Sequence, residues 1–197
     1  MSTHPASPND LDPSTAMDRP VYLLPGWLNS DPAHWQSEWE RRHGDHRVEQ
    51  NDWEWPRRGD WMARLDDVLQ QDTRLARQPA LLVAHSLGCQ LVAAWADHSA
   101  HTRRVAGALL VAPPDTERDD TPPQLHNWRP IRRPRLPFPA IVVASSDDPF
   151  CRAERAAGMA ADWGAEFVLA GPLGHLNTAS GLGAWPEGRA MLRRLVD

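Results

Sequence analysis

Four apolar runs mark the chain with almost no polar alternation: VYLLP (21–25), ALLVA (80–84), VAGALLVA (105–112) and AIVVASS (140–146). Runs this short that lack a polar face predict strands covered on both sides, as in a parallel sheet. HRVEQND (46–52) and AEFVLA (165–170) are weaker strand candidates. Between the runs the apolar residues shift to helical spacing. In RRGDWMARLDDVLQQ (57–71), Trp61, Leu65, Val68 and Leu69 fall on one stripe. DPAHWQSEWERRH (31–43) offers Asp31 as an N-cap and Pro32 at the first helical position, with Trp35 and Trp39 one turn apart on a core-facing side. SLGCQLVAAWADHS (86–99) follows a strand directly. CRAERAAGMAADWG (151–164) ends in a glycine suited to a C-cap, and PEGRAMLRRLV (186–196) forms the last helix. Strands alternating with helices predict a three-layer α/β/α fold around a mostly parallel sheet.

Two segments escape this pattern. Residues 1–18 are rich in Pro, Ser, Thr and Asp and are expected to be a disordered tail, leaving 19–197 as a single domain. Residues 113–139 are too long for a routine connection and predict a short helix or an excursion over the sheet. The tail has neither a basic start nor an apolar centre, so it does not read as a secretory signal, and no run is long enough to span a membrane. A net charge of −5 argues against a nucleic-acid surface, and the basic cluster RPIRRPRLP (129–137) is expected to be a solvated loop. Two cysteines make no framework of bridges, which fits a reducing cytoplasm; Cys89 is expected to face the core and Cys151 the surface. His43 and His46, and His98 and His101, are spaced three apart, but no carboxylate or cysteine joins them at ligand spacing, so no metal is expected. Of ten tryptophans, Trp27, Trp53, Trp55, Trp128 and Trp185 fall in expected loops, where some can line a pocket.

The chemistry of the chain turns on LLVAHSLGCQL (81–91). Ala-His-Ser-Leu-Gly is a variant of G-x-S-x-G with alanine in the first place. That motif works as a nucleophile elbow: a strand turns sharply into a helix and forces the serine into a strained conformation. The helix N-terminus adds N–H groups and positive dipole where an oxyanion would develop. The plain alternative is that Ser86 is an ordinary helix N-cap. A base and an acid stand at two later strand ends, in the chain order of an α/β-hydrolase. His175 lies in the Gly-rich GPLGHLN, and Asp147 and Asp148 lie in SSDDPF. Asp115, in VAPPD, is a further candidate acid. The backbone N–H groups of Trp27 and Leu87 are candidates for an oxyanion hole, with Gly26 allowing close approach. Gly26, Trp27 and His85 are candidates to line the substrate's place, His85 as a packing or hydrogen-bonding residue that points away from Ser86.

Taken together, LLPGW, AHSLG, VAPPD, SSDDPF, DWGAEF and GHLNTASGLGAWPEG resemble the YdeN-like serine hydrolases, the family that includes retinoblastoma-binding protein 9. The resemblance runs from about Val21 to the C-terminus. It implies a minimal α/β-hydrolase fold with little or no cap domain, no cofactor, and a Ser-His-Asp triad on Ser86, His175 and Asp148. The family pattern favours the aspartate directly before proline, hence Asp148 over Asp147. The implied activity is hydrolysis of a small ester, thioester or amide through an acyl-enzyme. The alternative is a protein-binding module on a hydrolase scaffold, with a protein partner in place of a small-molecule substrate. The run 180–188 matches the family and is expected to shape the loop behind His175.

Overall fold

The computed structural model describes residues 17–196. All but the last two residues of the expected tail lie outside that range. Six strands make one sheet, every pair parallel: β1 (Val21–Leu24), β2 (His46–Arg47), β3 (Ala80–His85), β4 (Val105–Val111), β5 (Ala140–Ala144) and β6 (Glu166–Leu169), in the order β2-β1-β3-β4-β5-β6. The second strand is only two residues long, because the chain from Val48 onward leaves the sheet to form a loop toward the next helix. Four helices connect strands, α1 (Trp35–His43), α2 (Arg58–Gln71), α3 (Leu87–His98) and α4 (Ala153–Trp163), and α5 (Pro186–Arg193) follows the last strand.

The period of two along each strand divides the core between the two faces. Tyr22, Leu24, Leu82, Ala84, Leu110 and Val142 point to one side, against Trp61, Leu65 and Leu69 of α2, Trp95 of α3 and Met159 of α4. Leu23, Leu81, Val83, Leu109 and Val143 point to the other, against Trp35 and Trp39 of α1 and Leu192 of α5. This is why the strands read as continuous apolar runs: each face has its own layer of helices. After β1 the chain steps outward to β2 and then returns to β3 on the far side. The carboxyl ends of β1 and β3 therefore flank the point where strand order reverses, the place at which open α/β sheets bind ligands.

Two expectations need correction. The first helix begins at Trp35, not Pro32, with His34 as its N-cap. The His34 ring accepts the Gln36 amide at 3.1 Å, while Asp31 instead caps a preceding turn through Ala33 N–H at 2.8 Å. The basic cluster is not a solvated loop. Arg129 donates to the carbonyls of Thr116 and Arg118, both at 2.5 Å, and Arg132 and Arg133 pair with Asp97 on α3 and Asp162 on α4. These bonds fasten the excursion, residues 113–139, across the helix layer. Trp128 and Trp185 are buried core residues: Trp128 donates its indole N–H to the Pro56 carbonyl and packs edge-on against Trp61, and Trp185 packs against Trp35.

Candidate active site

The site is built on the turn between β3 and α3. Ser86 sits at φ 53°, ψ −122°, a conformation that L-residues rarely adopt, and its side chain makes no capping bond to the helix it precedes. That geometry disfavours the plain N-cap reading, in which the serine oxygen would accept a first-turn amide. Two close approaches hold the turn. A Cβ on Gly88 would lie 2.2 Å from the Leu24 carbonyl oxygen, so only glycine lets α3 seat against the end of β1. A Cβ on Gly26 would lie 2.7 Å from the Ser86 Cβ, so the turn after β1 presses directly on the serine. Ser86 N–H donates to the Val111 carbonyl at 2.9 Å, which ties the turn to the end of β4.

His175 lies beside the serine. Its Nε2 is 2.8 Å from Ser86 Oγ, and its Nδ1 is 3.0 and 2.9 Å from the two Asp148 carboxylate oxygens. The His175 and Asp148 side chains are 9% and 3% exposed, so the pair is shielded from water. The Asp148 carboxylate fixes the tautomer: Nδ1–H donates to it, leaving the Nε2 lone pair for the Ser86 hydroxyl proton.

The other candidates take separate places. Asp147 makes no hydrogen bond or ion pair with His175 among the described residues. Its carboxylate accepts the Gly174 amide at 2.7 Å and the Ser145 hydroxyl at 2.7 Å, and these bonds hold it below the usual carboxylate range. It shapes the histidine loop, while its neighbour meets the ring. Asp115 is paired with Arg155 at 3.2 Å. His85 donates Nε2–H to the His175 carbonyl at 2.9 Å, because a carbonyl can only accept. Burial, then the neighbouring His175 and His34, hold its pKa well below the ordinary imidazole value, so that bond persists across the neutral range. From α1, the Trp35 indole N–H donates to the Leu176 carbonyl at 2.8 Å. The run 180–188 acts behind this loop: the Ser180 hydroxyl donates to the Leu173 carbonyl at 2.5 Å, and Gly188 leaves room for the Trp185 ring, which a Cβ would meet at 2.2 Å. The Trp27 and Leu87 amides bracket the elbow, and neither has a backbone partner among the described residues. The Trp27 indole is tied to the Glu54 carbonyl at 2.9 Å.

Gly26, Trp27, His85, Ser86, Leu87 and His175 all line one cavity of about 480 Å³. The excursion supplies its far wall, from Pro114 to Leu125. Several lining residues carry no sequence signal of their own. Leu28 and Phe150 are 60% and 52% exposed, and Phe150 stands edge-on against the His175 ring at 4.6 Å. His34 also lines the cavity although it is buried, and burial pushes its pKa down to about 4. It falls within an apparent helical repeat, which hides it. Cys151 is not at the surface as expected. It is 3% exposed, and burial followed by the charges of Asp115 and Asp148 pushes its thiol up to about 12.

Comparison with known proteins agrees with this architecture. A YdeN-like hydrolase from Pectobacterium atrosepticum is 30% identical over 89% of each chain, with a TM-score of 0.75. The ydeN gene product of B. subtilis, 21% identical over 90% of this chain and 98% of its own, shares the fold with a TM-score of 0.70. So does a Bacillus cereus carboxylesterase, 14% identical over 90% of this chain and 88% of its own, with a TM-score of 0.60. No curated protein sequence matches. The family model for serine hydrolases matches residues 21–194, nearly the whole described chain, and the protein belongs to that family, within the YdeN-like branch of the α/β-hydrolases.

Proposed function

We propose that the protein cleaves small esters through an acyl-enzyme on Ser86, with His175 as base and Asp148 as the residue that orients it. The observation that carries this reading is the unbroken contact chain from Ser86 Oγ through the imidazole to a buried carboxylate, on a serine held at positive φ. Ser86 Oγ attacks the ester carbonyl as its proton passes to His175 Nε2. The carbonyl oxygen becomes an oxyanion facing the Trp27 and Leu87 amides. Collapse of the tetrahedral adduct breaks the ester C–O bond, and the proton on Nε2 passes to the departing alkoxide. Water then takes the alcohol's place, gives a proton to His175 and attacks the acyl carbonyl. A second collapse returns that proton to Ser86 and releases the acid. Asp148 keeps its negative charge throughout and stabilises the transient imidazolium.

The exposed Leu28 and Phe150 and the half-buried Trp27 give the cavity apolar surface beside the nucleophile, which suits a short or flat apolar acyl group. Thioesters and amides present the same electrophilic carbon, the amide needing a better-placed proton for its leaving amine. The test is a fluorophosphonate probe read by intact mass. One adduct on the wild type, absent from Ser86→Ala, is the expected result, with an ester panel of graded acyl length to follow. A folded wild type that takes no adduct would refute the triad and favour a binding module on the same scaffold.

A further inference from the structure

The chain after β1 turns between Gly26 and Asn29, closed by the Asn29 amide on the Gly26 carbonyl at 3.1 Å. Leu28, the third residue of this turn, has φ 67°, and so has Asn29. Glycine suits such a place because it has no Cβ, and asparagine tolerates it by bonding locally. Leucine does neither, so its backbone there is strained. Strain of this kind persists only where the surroundings over-determine the chain, and it gathers at active sites and ligand clamps. Here the turn is fixed from two sides. Leu28 N–H donates to the Trp53 carbonyl at 3.2 Å. Asn29 Oδ1 accepts the Ser30 amide at 2.8 Å and the Arg47 guanidinium at 2.6 Å, and Arg47, with its side chain only 8% exposed, is held in turn by Glu40.

Packing does not account for the leucine either, since it is 60% exposed. The free protein gains neither backbone ease nor burial from it. Its place in the cavity does account for it. Gly26, two residues earlier, presses on Ser86, and Leu28 lines the cavity that opens on that serine. Phe150, also exposed, lines the same cavity and stands edge-on to the His175 ring at 4.6 Å. β3 lies between β1 and β5 in the sheet, so the loops that carry Leu28 and Phe150 reach the cavity from opposite sides of the nucleophile.

We propose that Leu28 is a specificity-determining residue: with Phe150 it forms two apolar jaws that take up the methylenes of a short linear acyl chain, so that butanoyl esters are preferred over acetyl esters. The inference deepens the Ser86 reading and rests on it. Both side chains lie in water in the free protein, and an acyl chain laid between them removes apolar surface on three sides at once. An acetyl group is too short to reach past the carbonyl and gains little. Because the turn is already fixed, the leucine is presented without the entropy loss of ordering a loop around the substrate.

The test is the ratio of kcat/KM for p-nitrophenyl butanoate over p-nitrophenyl acetate, measured on the full chain and on Leu28→Gly, Leu28→Asn and Leu28→Met. A ratio cancels whatever a substitution does to the elbow itself. Each buried methylene is worth up to about fourfold, so the wild-type ratio should be about fivefold or more. Leu28→Gly and Leu28→Asn, both at ease at positive φ, should lower the ratio about threefold or more. Both should melt at or above the wild-type temperature, by up to about 4 °C. Leu28→Met keeps an apolar chain and should hold most of the preference. The same substitutions in a Ser86→Ala background, with binding of ethyl butanoate and ethyl acetate followed by NMR, separate the two readings. A wild type that turns over no ester refutes catalysis at Ser86, and the binding ratio still decides the role of Leu28. A wild-type ratio near one, a ratio unmoved in Leu28→Gly and Leu28→Asn, an equal fall in Leu28→Met, or a lower melting temperature in both Leu28→Gly and Leu28→Asn would each overturn the proposal.

Discussion

Gly88 and Gly158 both lie inside helices, and replacing each with alanine should move stability in opposite directions. In an exposed helix interior this change gains about 0.5–1 kcal/mol, because alanine loses less backbone entropy on folding. Gly158 fits that case: a Cβ there meets nothing within 4 Å. Gly88 does not. At Gly88 the new carbon would sit 2.2 Å from the Leu24 carbonyl oxygen and 3.1 Å from that of Pro25. Ordinary contact begins at 3.4 Å, so α3 and the end of β1 must part by about 1 Å. Overpacking of this kind costs about 1–3 kcal/mol. For a chain of this length it lowers Tm by roughly 2–12 °C. The same shift separates the Gly26–Trp27 turn from Ser86, and a displacement of about 1 Å at a reacting centre costs about a hundredfold in kcat. The assay is thermal unfolding of both variants beside steady-state hydrolysis of a p-nitrophenyl ester. Gly158→Ala should melt a few degrees higher with unchanged kcat. A Gly88→Ala protein within about 1 °C and twofold of wild type would refute the reasoning, since the contact it rests on would then not constrain the elbow.

Other outcomes follow from the same geometry. Asp148→Asn should lower kcat by about 10³–10⁴ by freeing the wrong tautomer, whereas Asp147→Asn, which only loosens the Gly174 turn, should lose roughly tenfold or less; ester hydrolysis separates the two. His34 titrates near 6.5 when unfolded and about 4 when folded, so the unfolded chain binds its proton first. Its contribution is complete above about pH 6.5 and fades as pH falls toward 4, by about 3 kcal/mol at most; urea midpoints across that window should fall less steeply in His34→Gln. Arg189 and Asp45 form a buried pair at 2.5 Å, each side chain 4% exposed. Arg189→Met should cost about 3–5 kcal/mol by stranding Asp45, and Asp45→Leu in the same chain should recover most of it, as read by chemical unfolding.

The buried strands were legible because each needs apolar residues on both faces, and that requirement is written residue by residue. The Ser86 turn was legible because small residues must stand two before and two after a serine held in such a turn. Other features depend on neighbours far away in the chain. The start of α1 is decided by the His34 ring bonding to the Gln36 amide and by the Trp35 indole reaching Leu176 across 141 residues. Asp147 and Asp148 are chemically alike and adjacent; only the path of the histidine loop sends one to Gly174 and the other to the imidazole. The arginines of 129–133 look like a solvated run because their partners, Asp97 and Asp162, lie on helices from other parts of the chain.

The excursion 113–139 divides labour along the chain. The groups that meet Ser86 and His175 come from the ends of β1, β3, β4 and β5 and from the loop after β6, whereas the far wall of the cavity belongs to one inserted segment held by Arg132 and Arg133 to α3 and α4. Those anchors lie on the helices and outside the sheet. Selection can therefore rewrite what the cavity admits by altering this segment alone, while the reacting groups and the strands that carry them stay as they are. Relatives that share the elbow and differ in this stretch would be expected to prefer different acyl groups.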